Sequence, residues 1–176
     1  YTEDMPICTN KDTHPACGPG DAAGGAAIEK LPDWDLGDLY AGIDDPAIDR
    51  DLDAAATRAT AFAEHYQGTL AGLGGAELGE AIAAIEAIDE ALQRARSFGQ
   101  LMVAANTQDA DIAAFYQNLN ERVTGISSGL LFFELELNRI DDDALAEKLE
   151  EPKLNRYQPW IDANRSLKPY QLGDDL

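Results

Sequence analysis

The chain has 176 residues, of which 45% are hydrophobic, and this length is enough for one globular domain with a sizeable core. Its 33 acidic and 13 basic residues give a formal charge of −20, which disfavours nucleic acid and anionic membrane surfaces as partners. No apolar run approaches the roughly 20 residues that span a bilayer, and no signal peptide is visible. We therefore expect a cytoplasmic protein that does not enter a membrane.

Residues 1–30 differ in composition from the rest of the chain. Glycine, proline and small polar residues dominate there, and no period of 2 or 3.6 is present, so a flexible N-terminal arm or linker is predicted. Cys8 and Cys17 can close one small loop in an oxidising compartment, but a reduced pair is the expectation. Cys8, His14 and Cys17 lack an obvious fourth ligand, so no zinc site is predicted.

Residues 31–176 are predicted to form one helical lobe. In residues 34–40, Trp34 and the two leucines are expected to anchor a short turn against the body. Asp45 followed by Pro46 is a helix start, with Asp as N-cap and Pro at the first helical position. Gly68 is a suitable stop for this first helix. Its apolar residues recur every three or four positions: Ile48, Leu52, Ala55, Ala59, Phe62 and Tyr66.

Two longer apolar patterns follow. The first predicts a helix from Leu78 to Asn106, in which Gly99 marks a close approach by a neighbour. After a short polar link, the second pattern runs without interruption from Ile112 to Ile140 and predicts another long helix. Two long helices joined by so short a link are expected to lie antiparallel, as an αα-hairpin.

The segment 130–137, which begins at Leu130 and ends at Leu137, is apolar on more than one face. Such a segment is either sandwiched between other elements or faces a partner. Beyond it, Asp141 and its two neighbours cap a short helix that runs toward Pro152, and a last helical pattern includes Trp160. No strand pattern is present. The predicted fold class is all-α: a helical bundle with a long antiparallel αα-hairpin and shorter flanking helices.

The motifs that suggest a catalytic or metal-binding site lack the neighbouring residues or elements that each site requires. Gly125 to Gly129 matches the G-x-S-x-G nucleophile elbow, but no strand precedes it, and His14 and His65 are the only histidines. The acidic run from Asp49 to Asp53 lacks the Gly and Glu that a calcium-binding EF-hand loop requires. The zinc-peptidase motif H-E-x-x-H is not found in the sequence. We therefore predict no catalytic, cofactor-binding or metal-binding residue in this chain.

Three segments, in this order and spacing, carry a resemblance to a known family. They are Trp34-Asp35-Leu36-Gly37-Asp38-Leu39-Tyr40 with the helix that follows; Ala105-Asn106-Thr107-Gln108-Asp109 with segment 130–137; and Tyr157-Gln158-Pro159-Trp160-Ile161 with Arg165 and Pro169-Tyr170. Together they resemble the N-terminal region of oligoendopeptidase F and its thimet-oligopeptidase-like zinc peptidase relatives. The resemblance covers residues 31–176, whereas residues 1–30 match no part of the family.

The resemblance implies a helical lobe that precedes a catalytic domain and helps to wall a channel for short peptides. In the family, the zinc ligands lie far downstream, in an H-E-x-x-H helix and a further Glu that have no counterpart here. The chain alone is therefore expected to be inactive, and its last residues resemble an interruption within the family pattern. The expected partners are the missing catalytic domain, through segment 130–137, and short peptide substrates of the intact zinc enzyme.

Two other functions remain open from the sequence. The first is a free-standing helical interaction module without catalytic activity, which would use segment 130–137 as its docking surface. The second, less favoured, is an acidic bundle that buffers metal ions. Self-association of the chain would discriminate the first from a peptidase lobe, and titration with calcium or zinc would test the second.

Overall fold

The structure is a computed structural model that describes residues 34–166 and 168–170. Within these residues every regular element is helical and no strand is present, which confirms the all-α class. The predicted N-terminal arm, with Cys8, His14 and Cys17, lies outside the described residues, and the domain division stays a prediction. The helices are α1 (Pro46–Tyr66), α2 (Gly75–Ala105), α3 (Ala110–Ser128), α4 (Leu131–Arg139), α5 (Asp142–Lys148), α6 (Pro152–Asn155) and α7 (Gln158–Arg165), with single 3-10 turns at Leu70–Gly72 and Lys168–Tyr170.

Helix α1 begins where its sequence signals predict. The Asp45 carboxylate accepts a hydrogen bond from the Ala47 amide at 2.9 Å, and Pro46 occupies the first turn. The helix ends at Tyr66, and Gly68 then takes a φ of +80°, which suits glycine. Five of the six residues predicted to share its apolar stripe are buried: Ile48, Leu52, Ala55, Ala59 and Phe62.

The predicted anchoring role of Trp34 is wrong, because its side chain is 69% exposed. Tyr40, only 3% exposed, is the anchor of this segment instead. Its ring meets Phe98 of α2 edge-on at 5.3 Å, and its hydroxyl donates to Asp51 of α1 at 3.1 Å. Tyr40 thus buries its ring while its hydroxyl keeps a hydrogen-bond partner. Trp34 lies before the turn that leads the chain to the helices.

Helix α2 is the centre of the fold, and it contacts α1, α3, α5 and α6. The predicted close approach at Gly99 is confirmed. A Cβ atom there would lie 2.7 Å from Leu119 Cδ2 and 2.9 Å from Tyr116 Cδ2, both on α3. At Gly99 the backbone of α2 therefore lies directly against side chains of α3. The antiparallel direction of the pair stays a prediction.

The second long pattern is not one helix, as predicted, but two. Helix α3 ends at Ser128, and a turn at Gly129 and Leu130 precedes α4. The sequence Ser127-Ser128-Gly129 has weak helix propensity, so this is the least costly place to end the helix. The apolar repeat continues across the break, since Leu130, Phe133 and Leu137 are all buried.

Helices α5 and α6 lie against the first turns of α2. Asp141 caps α5, since its carboxylate accepts from the amides of Asp143 at 3.0 Å and Ala144 at 3.3 Å. A Cβ atom on Gly75 would collide with the Lys148 carbonyl oxygen, and one on Gly79 would lie 3.0 Å from the Lys153 carbonyl oxygen. These two glycines let the backbone of the later segment rest directly on α2.

Candidate functional site

The G-x-S-x-G segment does not form a nucleophile elbow. Ser127, the position of the nucleophile in that motif, lies in the last turn of α3 and is preceded by helix rather than by a strand. The neighbouring Ser128 hydroxyl donates to the Thr124 carbonyl oxygen at 2.8 Å, a bond within the helix. His65 is exposed at the end of α1, where its ring meets Tyr66 edge-on at 4.6 Å. The described contact of His65 is thus with Tyr66 rather than with Ser127, and His14 lies outside the described residues.

The acidic residues at the start of α1 form ion pairs. Arg122 of α3 contacts the carboxylates of Asp49 and Asp53, the latter at 3.0 Å, while Asp51 receives the Tyr40 hydroxyl. In the described part of the chain, no three His, Cys, Asp or Glu side chains are placed so that they could hold a metal ion. Among the same residues, no helix is long and apolar enough to cross a membrane.

Segment 130–137 divides into a buried and an exposed side. Phe133 is fully buried, and its ring lies 5.4 Å from that of Phe62 on α1. On the opposite side, Leu131 is 58% exposed and Leu135 is 44% exposed, one helical turn apart. One side is therefore sandwiched in the core, and the other presents two large apolar side chains to solvent.

Arg165 joins the end of α7 to the end of α4. Its guanidinium donates to the carbonyl oxygens of Leu137 and Ile140, each at 2.8 Å, and it also contacts the carboxylate of Asp142. Lys168 reaches the same carboxylate at 3.2 Å. Hydrogen bonds from Arg165 and Lys168 lower the pKa of Asp142. The arginine supplies a donor to two carbonyls at the end of a helix, of which that of Leu137 also accepts from the Ile140 amide at 3.3 Å.

A groove of about 300 Å³ lies between α2 and the start of α7, and we refer to it as the α2–α7 groove. Ile82 and Ile85 form its apolar floor, and Tyr157 and Trp160 stand on the other side. The Tyr157 hydroxyl donates to Glu86 at 3.0 Å, and burial together with this carboxylate raises the pKa of Tyr157. Sequence analysis missed this groove, because its two sides are about 70 residues apart and share no motif.

The described residues thus define an all-α class of protein with an exposed apolar strip on α4. Residues 136–176 match the family model for oligopeptidase F, which represents the N-terminal part of M3 peptidases. This match supports an oligoendopeptidase F N-terminal region and a metallopeptidase context. No curated protein and no solved structure matches the chain.

Proposed function

We propose that this chain is the N-terminal helical lobe of an oligoendopeptidase-F-like zinc metallopeptidase that hydrolyses short peptides. The lobe helps to wall the substrate channel, and the catalytic zinc domain lies outside these 176 residues. The observation that carries the proposal is the family match over residues 136–176. In the family the bound zinc activates the water that attacks the peptide bond.

The matched segment is part of the same body as the unmatched helices, which extends the argument to the whole lobe. Leu154 and Ile161 of that segment are fully buried and belong to one core with Leu52 of α1 and Leu92 of α2. Arg165 then fastens α7 to α4 within the match itself. Because the matched segment is part of the core, the match supports assigning the whole lobe to this family. A match on a short peptide appended to the core would give less support.

The contact with the catalytic part is assigned to the exposed strip of α4. Leu131 and Leu135 are among the most exposed large apolar side chains of the described residues, and they lie next to each other. Covering them removes apolar area from water, which favours association. In the intact enzyme, this contact sets the distance between the lobe and the zinc site, and the channel width then restricts substrates to short peptides.

The proposal is tested with a quenched fluorescent oligopeptide and added zinc. The 176-residue chain is expected to show no turnover, while a polypeptide extended through H-E-x-x-H cleaves the peptide. In the extended enzyme, a His→Ala change in that motif serves as the control for zinc-dependent cleavage. Turnover by the short chain, or failure of the natural downstream sequence to contain H-E-x-x-H, contradicts the proposal.

The exposed strip on α4 also supports the second candidate, a free-standing interaction module. The two functions differ in what the strip does when no other polypeptide is present. A lobe that has lost its catalytic part should self-associate through Leu131 and Leu135, and the double change of both to Ser should yield a monomer in analytical ultracentrifugation. A wild-type chain that stays monomeric and binds one specific protein through this strip favours the module.

A further inference from the structure

We infer that the α2–α7 groove is a binding site for an arginine side chain presented by a partner polypeptide. The groove combines an apolar floor, an aromatic wall and a row of carboxylates, the three features that a guanidinium on an aliphatic stem requires. This site is separate from the exposed strip of α4 and does not depend on where the catalytic zinc domain lies.

The carboxylates come from one face of α2. Asp89 and Glu90 lie three and four residues after Glu86, so both side chains are neighbours of Glu86 along the groove. None of the three forms an ion pair with any residue between 34 and 166 or with residues 168–170. The desolvation of Asp89 by the surrounding protein raises its pKa, so an incoming cation would stabilise its charged form.

Two aromatic side chains, those of Tyr157 and Trp160, line the other side of the groove. The hydrogen bond from Tyr157 holds Glu86 in place at 3.0 Å. Arg156 lies 4.6 Å from the centre of the Tyr157 ring, so that ring already has its cation. Trp160 is 37% exposed, and no cation of the described residues lies over its ring. Tryptophan is the strongest aromatic partner for a guanidinium, which favours arginine over lysine.

Size and charge determine the kind of occupant. A volume of about 300 Å³ is at the low end of ligand sites, which suits one side chain with its neighbouring backbone rather than a folded domain. Lys153, which precedes α7 in the chain, pairs with Glu80 at 2.9 Å rather than with these carboxylates. The groove therefore offers negative charge and apolar surface together, and an arginine next to an apolar residue in an extended peptide complements both.

Binding can be followed through Trp160 itself, because the chain has two tryptophans and Trp34 is exposed. In a Trp34→Phe background, the full chain is titrated with the peptide acetyl-Leu-Arg-Leu-amide. The neutral analogue with citrulline in place of arginine keeps the size of the side chain but loses its positive charge and two N–H donors. We expect saturable quenching by the arginine peptide and affinity for the citrulline peptide that is weaker by at least about tenfold.

Matched variants separate this groove from the general negative charge of the chain. Glu86→Gln with Asp89→Asn should weaken arginine-peptide binding about tenfold, because it removes two charges at the groove but keeps the side-chain sizes. Glu64→Gln with Glu147→Gln removes the same charge at exposed positions outside the groove and should change affinity less than about twofold. Circular dichroism of all variants confirms that they are folded.

Four results would overturn the inference. The first is equal weakening by the groove variant and the control variant, which would assign binding to net charge. The second is equal affinity for the citrulline peptide. The third is equal affinity for agmatine, which would make the groove a site for free amines rather than for a polypeptide. Concentration-dependent dimerisation that the groove variant abolishes would assign the groove to a second copy of this chain and would also overturn it.

Discussion

The three long helices and the four short ones are held in place by different interactions. Helices α1, α2 and α3 have 21, 31 and 19 residues, and each buries an apolar stripe. Helices α4 to α7 have between 4 and 9 residues, below the roughly 12–15 at which an isolated helix is even marginal. Periodicity therefore specifies the first region, whereas tertiary contacts must stabilise the second.

Several side chains of the short-helix region donate to backbone carbonyls outside their own helix, as Arg94 of α2 also does to the Leu39 carbonyl oxygen at 2.8 Å. Besides the two bonds from Arg165, the Lys148 ammonium donates to the Leu73 carbonyl oxygen at 2.6 Å. Asn155 donates to the Leu149 carbonyl oxygen at 3.2 Å within the same region. These bonds fasten helices that are too short to be stable alone, so we expect the two regions to respond differently to mutation.

The largest expected effect comes from the core that both regions share. Phe98→Ala in α2 removes a ring that is 1% exposed and contacts Tyr40 and Phe115. We expect the free energy of unfolding to fall by about 3–5 kcal/mol, from lost burial and the cavity left behind. Urea unfolding measures this, and Phe133→Ala in α4 is the counterpart. A small effect of Phe133→Ala would mean that the short helices do not share the core.

The next effect should come from Arg165. Arg165→Met keeps the aliphatic stem but leaves the carbonyls of Leu137 and Ile140 without their donor, and we expect a loss of about 2–3 kcal/mol. Arg122→Met is the matched control in the long-helix region. Its partners Asp49 and Asp53 are 72% and 78% exposed, so a loss below about 1 kcal/mol is expected. Equal losses in urea unfolding would remove the distinction between the two regions.

A smaller effect is expected at the contact of α2 with α3. Gly99→Ala places a methyl group against Leu119 and Tyr116, and overpacking should exceed the roughly 1 kcal/mol gained in helix propensity. The net loss should be about 1–2 kcal/mol. Gly125→Ala in α3 meets nothing within 4 Å, so this control should gain roughly 0.5–1 kcal/mol. Thermal unfolding measures both, and a stabilising Gly99→Ala would contradict the tight contact.

The smallest effect concerns pH. The pKa of Asp142 is lowered from its ordinary value of 3.8, chiefly by the hydrogen bond from Arg165 and then by that from Lys168. The folded state therefore binds this proton less readily than the unfolded state does, and the stabilisation is present above pH 3.8 and is lost as pH falls through the lowered pKa. Asp142→Asn should reduce the decline of the unfolding temperature in that acidic range. If the unfolding temperature of Asp142→Asn declines in that range as it does in the wild type, the Asp142 carboxylate does not contribute to stability there.

Local signals predicted the starts of α1 and α5, whereas Asp109 was predicted only as part of a polar link and α2 begins at Gly75 rather than at Leu78. Asp45, Asp109 and Asp141 each accept hydrogen bonds from amides of the first helical turn, which is a short-range property of Asp before a helix. The break between α3 and α4 escaped prediction, because the apolar repeat continues through Leu130 on both sides of the turn. An apolar repeat indicates which face of a helix is buried, but not where the helix ends. The weak helix propensity of Ser127 to Gly129 was the only local sign of the break.

The candidate sites depend on contacts that a single sequence does not reveal. The bond between Tyr157 and Glu86 joins residues 71 apart, and the Arg165 bonds span 25 and 28 residues. The apolar excess of segment 130–137 left open whether the segment is sandwiched or faces a partner, and it did not predict that Leu131 and Leu135 would be the exposed residues. For the α2–α7 groove, the sole sequence signal was the row of carboxylates beside the apolar stripe of α2, which is equally typical of a solvated helix face.

Gly75 and Gly79 have a consequence for any dissection of this protein. Because the carbonyl groups of Lys148 and Lys153 rest on these glycines, the segment that carries the family match is supported by residues about 70 positions earlier. A peptide of residues 136–176 therefore lacks the surface against which it folds, and a truncation before Pro152 removes the backbone that lies on Gly79. The described residues of the matched and unmatched segments share one core, so we expect them to unfold together.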